Sequence, residues 1–353
     1  MALPAPLLFR GLPGSPYTRK MLAVLRYRRI PYRFLVGNQW LDEASTNVEL
    51  PLPRVNLLPT FYLPNAEGEL EALTDSTPLI RHFDKEFEGH AVIPPDPVVA
   101  FIDYLIEDYA DEWLTKAMFH YRWSYQNDIE KCQNILVRWT DISEPEEKIA
   151  QQGSAFGERQ IDRLYVVGSN DTTGPLIEAS YQRFLNIFKK ILEQQPYIMG
   201  HRPGASDFGV YGQLTQLAQF DPTPMSLTLS EAPRVYAWVD VVDDLSGYDV
   251  EDKDWISRDQ LSIQLGDLLQ EIGRTYTPVM LANAEALMGS EKEITARVDD
   301  QPWIQRAFPY QGKCVQWIRE QYECLSPVDR EFIDEVFAGT GCEALISPLP
   351  SPH

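Results

Sequence analysis

The stretch Ser15-Pro16-Tyr17-Thr18-Arg19-Lys20 brings together side chains that could do chemistry. It follows the apolar run Leu7-Leu8-Phe9 and opens an amphipathic segment ending near Arg29. Serine is a preferred N-cap, and proline at the first helical position has its φ pre-set and lacks an N–H that would be orphaned anyway. The pattern predicts a strand, a turn and a helix N-terminus, so backbone N–H groups and the positive end of a helix dipole surround the Ser15 hydroxyl. Such a corner favours an anion such as a thiolate. N-capping alone also suffices to explain a serine there, and the two roles are compatible. Tyr17 is a second hydroxyl, but two positions into the helix it is expected to pack.

Around this corner the local pattern reads βαβ-ββα. Leu7–Arg10 and Tyr32-Arg33-Phe34-Leu35-Val36 are β-rich and flank the helix, which Pro31 stops. An irregular segment with Pro51 and Pro53 leads to Leu58-Pro59, then Thr60-Phe61-Tyr62-Leu63 and Glu69–Leu73 read as two more strands. Asp75-Ser76-Thr77-Pro78 supplies helix caps and a first-turn proline for a helix buried through Leu79, Ile80, Phe83 and Phe87.

After a proline-rich linker at Gly89–Pro97 the pattern turns helical, with a long segment at 98–123 and further helices at 146–166, 175–194, 206–219 and 231–243. Residues 1–90, 91–248 and 249–353 are thus expected as an α/β domain, an all-α domain and an extension packed on the latter. In the extension, 263–269, 278–287 and about 310–325 read as helical. Ile294–Val298 and Trp303–Phe308 read as a hairpin around Asp299-Asp300-Gln301-Pro302.

A chain of 353 residues is long enough for more than one domain. No apolar run approaches a membrane span, and a net charge of −21 opposes attraction to nucleic acid or anionic lipid. The charge is uneven. Residues 1–41 carry Arg10, Arg19, Lys20, Arg26, Arg28, Arg29 and Arg33 and no Asp or Glu, a positive island suited to a small anionic ligand. Cys132, Cys314, Cys324 and Cys342 fit neither a disulfide framework nor a metal-ligand spacing, which points to a reducing cytoplasm. The histidines are scattered, and no metal site is expected.

The ordered set of Ser-Pro-Tyr-Thr at the first helix, Leu58-Pro59 before the third strand and Asp75-Ser76 at the last helix resembles the glutathione transferase superfamily. The resemblance covers residues 7–245. It implies a thioredoxin-like first domain, a helical second domain, glutathione as cosubstrate and a homodimer. It further implies that Pro59 is cis, that Leu58 offers backbone hydrogen bonds to the cysteinyl part of glutathione, and that Ser76 and Asp75 hold the γ-glutamyl carboxylate and ammonium. Ser15 would then donate a hydrogen bond to the glutathione sulfur and keep it as thiolate for attack on a small electrophile. Lowering a thiol pKa from ~8.5 to ~6.5 requires ~2.7 kcal/mol. Leu57 stands where the family often has a cation for the glycyl carboxylate, with Arg54, Asn56 or Trp40 as substitutes. Gly204 departs from the family's Ser/Thr-x-x-Asp capping motif. The electrophile would lie against the long helix, where Tyr104, Asp108, Asp111 and Glu112 could face the cleft; at this spacing they equally suit a solvated face, and its aromatics a core. The alternative to a transferase is a non-catalytic binding or scaffold protein that uses the extension for a partner.

Overall fold

The computed structural model of the chain describes residue 3, residues 5–36 and residues 50–347. Leu7–Gly11 (β1), Pro16–Tyr27 (α1), Tyr32–Val36 (β2), Thr60–Pro64 (β3), Leu70–Leu73 (β4) and Ser76–Glu86 (α2) form a thioredoxin-like unit. The sheet order is β2-β1-β3-β4, with β1 parallel to β2 and antiparallel to β3. A parallel pair needs a crossover, and α1 supplies it. Alternation sends Leu7, Phe9, Phe61 and Leu63 to one buried face, where the Phe9 and Phe61 rings stack at 4.6 Å. Met21, Val24 and Leu25 of α1 and Ile80 and Phe83 of α2 complete that core.

The long helix is not uniform. Pro97–Tyr109 (α3) passes through a π-helical turn, Ala110–Leu114, into Thr115–Ser124 (α4). Such turns add a residue to the helical repeat and occur often at functional sites. Here the turn lies where the helix is buried on every side. Gln126–Ile135 (α5), which the sequence pattern does not anticipate, buries only Asp128 and Cys132, too little apolar surface to mark a periodicity. Glu146–Ile161 (α6), Gly174–Gln194 (α7), Ala205–Leu217 (α8), Pro222–Glu231 (α9) and Pro233–Val242 (α10) complete the helical domain.

Helix α8 is buried throughout and joins the two domains by packing on α1. At Gly212 a Cβ would lie 2.6 Å from the Pro16 carbonyl oxygen, so only glycine permits this approach. Asp207 accepts from the N–H groups of Gly204 and Ile198 at 2.9 and 2.6 Å. The acidic half of the capping box is therefore formed, although Gly204 contributes no side chain to the other half.

The extension comprises Arg258–Arg274 (α11), Tyr276–Met288 (α12), Glu293–Val298 (β5), Gln301–Arg306 (β6), Pro309–Glu323 (α13), Pro327–Phe337 (α14) and Glu343–Ile346 (α15). It shares one continuous core with the helical domain, through pairs such as Phe101 with Phe337 and Trp113 with Trp303. The hairpin turn is tighter than expected. Asp299 and Asp300 alone make it, both at positive φ, while Gln301 and Pro302 belong to β6. Aspartate tolerates the left-handed region that two-residue hairpin turns require, and in a two-stranded sheet every strand is an edge that accepts proline.

The positive island is largely paired with carboxylates. Arg19 and Arg26 meet Asp243, each at 3.1 Å, Arg28 meets Asp84 at 2.7 Å, Arg29 meets Asp249 at 2.6 Å, and Lys20 meets Glu107 and Asp111. These cations fasten α1 to its surroundings rather than lie open to an anion.

Candidate functional site

Ser15 caps α1. Its Oγ accepts from the Thr18 N–H at 3.2 Å and donates to the Leu58 carbonyl at 3.3 Å. The second contact joins two loops 43 residues apart, and the Leu58–Pro59 peptide is cis. The β1–α1 loop is also held from the helical domain. Arg122 donates to the Gly14 carbonyl at 3.1 Å, and Gln216 to the Pro13 carbonyl at 3.2 Å. Arg122 is in turn held by buried Asp221, at 3.0 Å from Nε to Oδ1. Neither Arg122 nor Gln216 was singled out from sequence, because their target is a backbone carbonyl and only the fold makes them neighbours.

Asp75 begins α2 at φ 81, and its Oδ1 accepts from the Thr77 N–H at 3.3 Å. Ser76 is buried, and its Oγ accepts from Lys20 Nζ at 3.2 Å. Lys20 is 1% exposed and also donates to Glu107 at 2.7 Å and Asp111 at 2.6 Å. Arg81 reaches the other Glu107 oxygen at 2.8 Å, and the Thr77 hydroxyl donates to Glu107 at 3.1 Å. Burial favours a neutral Glu107 carboxyl, but Arg81 and then Lys20 outweigh it and hold the carboxyl at about 2. Burial lowers the Lys20 pKa, yet Asp111 and Glu107 raise it on balance, so the amine stays protonated.

The residues considered for an electrophile pocket divide between two surroundings. Tyr17 lies at the domain junction, its hydroxyl donating to the Asp111 carbonyl at 2.8 Å. Tyr104 lies under the Arg81 guanidinium, 4.6 Å from ring centroid to Cζ. Asp108 and Glu112 are buried against the extension. Asp108 accepts from the Tyr276 hydroxyl, and Glu112 from Gln311 Nε2 at 3.0 Å. Burial pushes the Asp108 carboxyl to about 7, and burial together with the Asp108 charge pushes Glu112 to about 8. Lys116, one turn on, is lowered by burial to about 8 against the opposing pull of Glu112. The i, i+4 spacing of Glu107/Asp111 and Asp108/Glu112 sends the two pairs to different faces, one toward α1 and one toward the extension.

The loop before Leu58 exposes Arg54, Asn56 and Leu57. Trp40, named with them as a substitute cation partner, lies outside the described residues. Among the described residues no group of three or more His, Cys, Asp or Glu side chains gathers as metal ligands, and no helix is long and apolar enough to cross a membrane.

Residues 9–91 match the family model of the glutathione S-transferase N-terminal domain. No curated protein matches the chain. Among solved structures, the chain is similar to a glutathione transferase family member from Pseudomonas fluorescens with two glutathione bound, at 14% identity and TM-score 0.41, over 67% of this chain and 87% of that one. It is similar to a Burkholderia graminis glutathione transferase with two glutathione molecules per subunit, at 16% identity and TM-score 0.42, over 67% and 82%. A Methylobacterium radiotolerans glutathione S-transferase in complex with glutathione sulfonate aligns at 17% identity and TM-score 0.38, over 67% and 90%. The family match thus spans the βαβ-ββα unit, and a mostly helical domain follows it in the chain.

Proposed function

We propose that the chain is a glutathione-dependent transferase, or an isomerase, dehalogenase or lyase built on the same thiolate, in which Ser15 activates the glutathione sulfur. The observation that carries this reading is the contact of the Ser15 hydroxyl with Leu58, next to cis Pro59, at the N-terminus of α1. The hydroxyl hydrogen now points to the Leu58 carbonyl across 3.3 Å, a long contact that a thiolate acceptor would readily replace. The thiolate would attack an electrophile held by the enzyme, with the protein supplying activation and position rather than a covalent intermediate.

Leu58 and Pro59 would hold the cysteinyl part of glutathione, and Asp75 with Ser76 its γ-glutamyl zwitterion. The Ser76 hydroxyl, which accepts from Lys20, keeps its own hydrogen for a ligand carboxylate. On the scaffold alternative, the polar side chains of Tyr276 and Gln311 turn into the core, which favours an extension that completes the fold over one that serves as a partner arm. A homodimer is carried forward on the same resemblance, with light scattering after size exclusion as its check, and a cytoplasmic home on the cysteine usage.

Calorimetry with glutathione tests binding, and turnover with glutathione and a model electrophile tests chemistry. Ser15→Ala is expected to keep binding and lose about tenfold or more in turnover at neutral pH. Full turnover in that variant removes Ser15 from the mechanism, and a wild-type chain that binds no glutathione removes the whole assignment.

A further inference from the structure

The extension reaches the candidate ligand site at Tyr310. The Tyr310 hydroxyl, in the first turn of α13, donates to Asp75 Oδ2 at 2.8 Å across 235 residues of sequence. The opposite carboxylate oxygen caps the Thr77 N–H, so the two donors fix the plane of the Asp75 carboxylate from both sides. Each oxygen retains a lone-pair site for a third donor.

Tyr310 is itself held in place. The start of α13 is clamped to α12 by fully buried Asn283, which accepts from the Phe308 N–H at 2.7 Å and donates to the Phe308 carbonyl at 3.0 Å. The Trp317 ring packs edge-on against the Tyr310 ring at 5.9 Å. Burial, reinforced by the Asp75 charge, keeps the phenol protonated and therefore a donor. A rigid donor aimed at an ionised carboxylate is a charge-assisted hydrogen bond, the stronger kind.

We propose that the extension is part of the ligand site, with Tyr310 a positioning residue that aims the Asp75 carboxylate at the ammonium group of an amino-acid-headed ligand. This rests on the reading above, in which Asp75 and Ser76 take the γ-glutamyl end of glutathione. It adds a residue outside the region matched by the family model, which ends at residue 91. It also gives the extension a role in recognition beyond its share of the core.

The test is calorimetry of the full chain with two ligands, glutathione and the analogue in which a glutaryl group replaces γ-glutamyl and so lacks only the amine. Tyr310→Phe keeps the ring and its Trp317 contact while removing the hydroxyl. The dissociation constant for glutathione should rise by about tenfold, the scale of one charged hydrogen bond, with little change for the deaminated analogue. In an Asp75→Asn background the same substitution should have no further effect on glutathione. Asn283→Ala, which leaves the hydroxyl but loosens α13, should reproduce the selective loss in weaker form.

Equal losses for both ligands would mean a merely structural role and overturn the proposal. So would tighter glutathione binding by Tyr310→Phe, the mark of a plug rather than a guide. If the wild-type chain binds glutathione no better than the deaminated analogue, this proposal falls and the transferase reading stands. If it binds neither, both fall.

Discussion

Replacing Lys20 with methionine would remove the ammonium that two buried carboxylates share. Lys20 is 1% exposed, Glu107 is fully buried, and the Nζ–oxygen distances are 2.7 Å to Glu107 and 2.6 Å to Asp111. Despite burial, Arg81 and Lys20 together hold the Glu107 carboxyl at about 2. Against about 4.3 in an unfolded chain, this is worth about 3 kcal/mol at neutral pH. A depressed folded-state pKa contributes stability above the unfolded value, and that contribution is lost as pH falls through about 4 toward 2.

Removing one partner of a buried pair costs about 3–5 kcal/mol. Arg81 would remain on Glu107, and Asp111, which burial already raises to about 6 against the opposing pull of Lys20, would take up a proton. Both effects place Lys20→Met at the lower end, about 3 kcal/mol less stable at about pH 7. Urea unfolding followed by circular dichroism measures this directly. Near pH 4.5 Asp111 is protonated in both proteins, so the difference should shrink to about half. A loss under about 1 kcal/mol at neutral pH, or a difference that does not narrow in acid, would refute the argument that this ammonium neutralises buried charge.

Glu112→Gln should flatten the pH dependence of stability. Wild-type Glu112, raised to about 8 first by burial and then by Asp108, keeps a proton that the unfolded chain has released, so stability falls as pH rises from about 4.3 to about 8; urea midpoints at the two ends of that window check it. Of the four cysteines, only Cys324 is exposed, and burial raises the thiols of Cys132, Cys314 and Cys342. A thiol reagent should therefore titrate one cysteine rapidly in the native protein and the rest only after denaturation; fast labelling of a second would show that its cover opens readily.

What the sequence made legible follows local rules. A serine and proline open α1, an aspartate and serine open α2, and alternating apolar residues mark the strands, because each depends on neighbours within a few positions. The hairpin turn was placed two residues too long because Pro302 normally ends a strand, and only its two-stranded setting admits it. Helix α5 shows little apolar periodicity because it buries only Asp128 and Cys132. The ionic interior had no comparable local sign. Lys20 and Glu107 stand 87 residues apart, and Asp75 and Tyr310 stand 235 apart. Pattern reading also treats acidic residues at helical spacing as one solvated face. Here the i, i+4 spacing and two packing partners divide them between α1 and the extension.

That division changes what the charge asymmetry of the first domain means. A cluster of cations on an acidic protein suggests long-range attraction of an anionic ligand, yet Arg19, Lys20, Arg26, Arg28 and Arg29 are engaged with carboxylates of α2, the helical domain and the segment after α10. Pairing them cancels most of their distant field and makes all but Arg28, whose partner Asp84 lies in the same domain, fasteners between domains. On the proposed function, recognition of an anion at this corner would fall to short-range groups, namely the hydroxyls of Ser15 and Ser76 and the helix starts beneath them. On the proposed function such groups would act only on a ligand already seated, with a thiolate at one helix start and a carboxylate at the other. The geometry therefore favours selection by the spacing of charges within the ligand over selection by net charge.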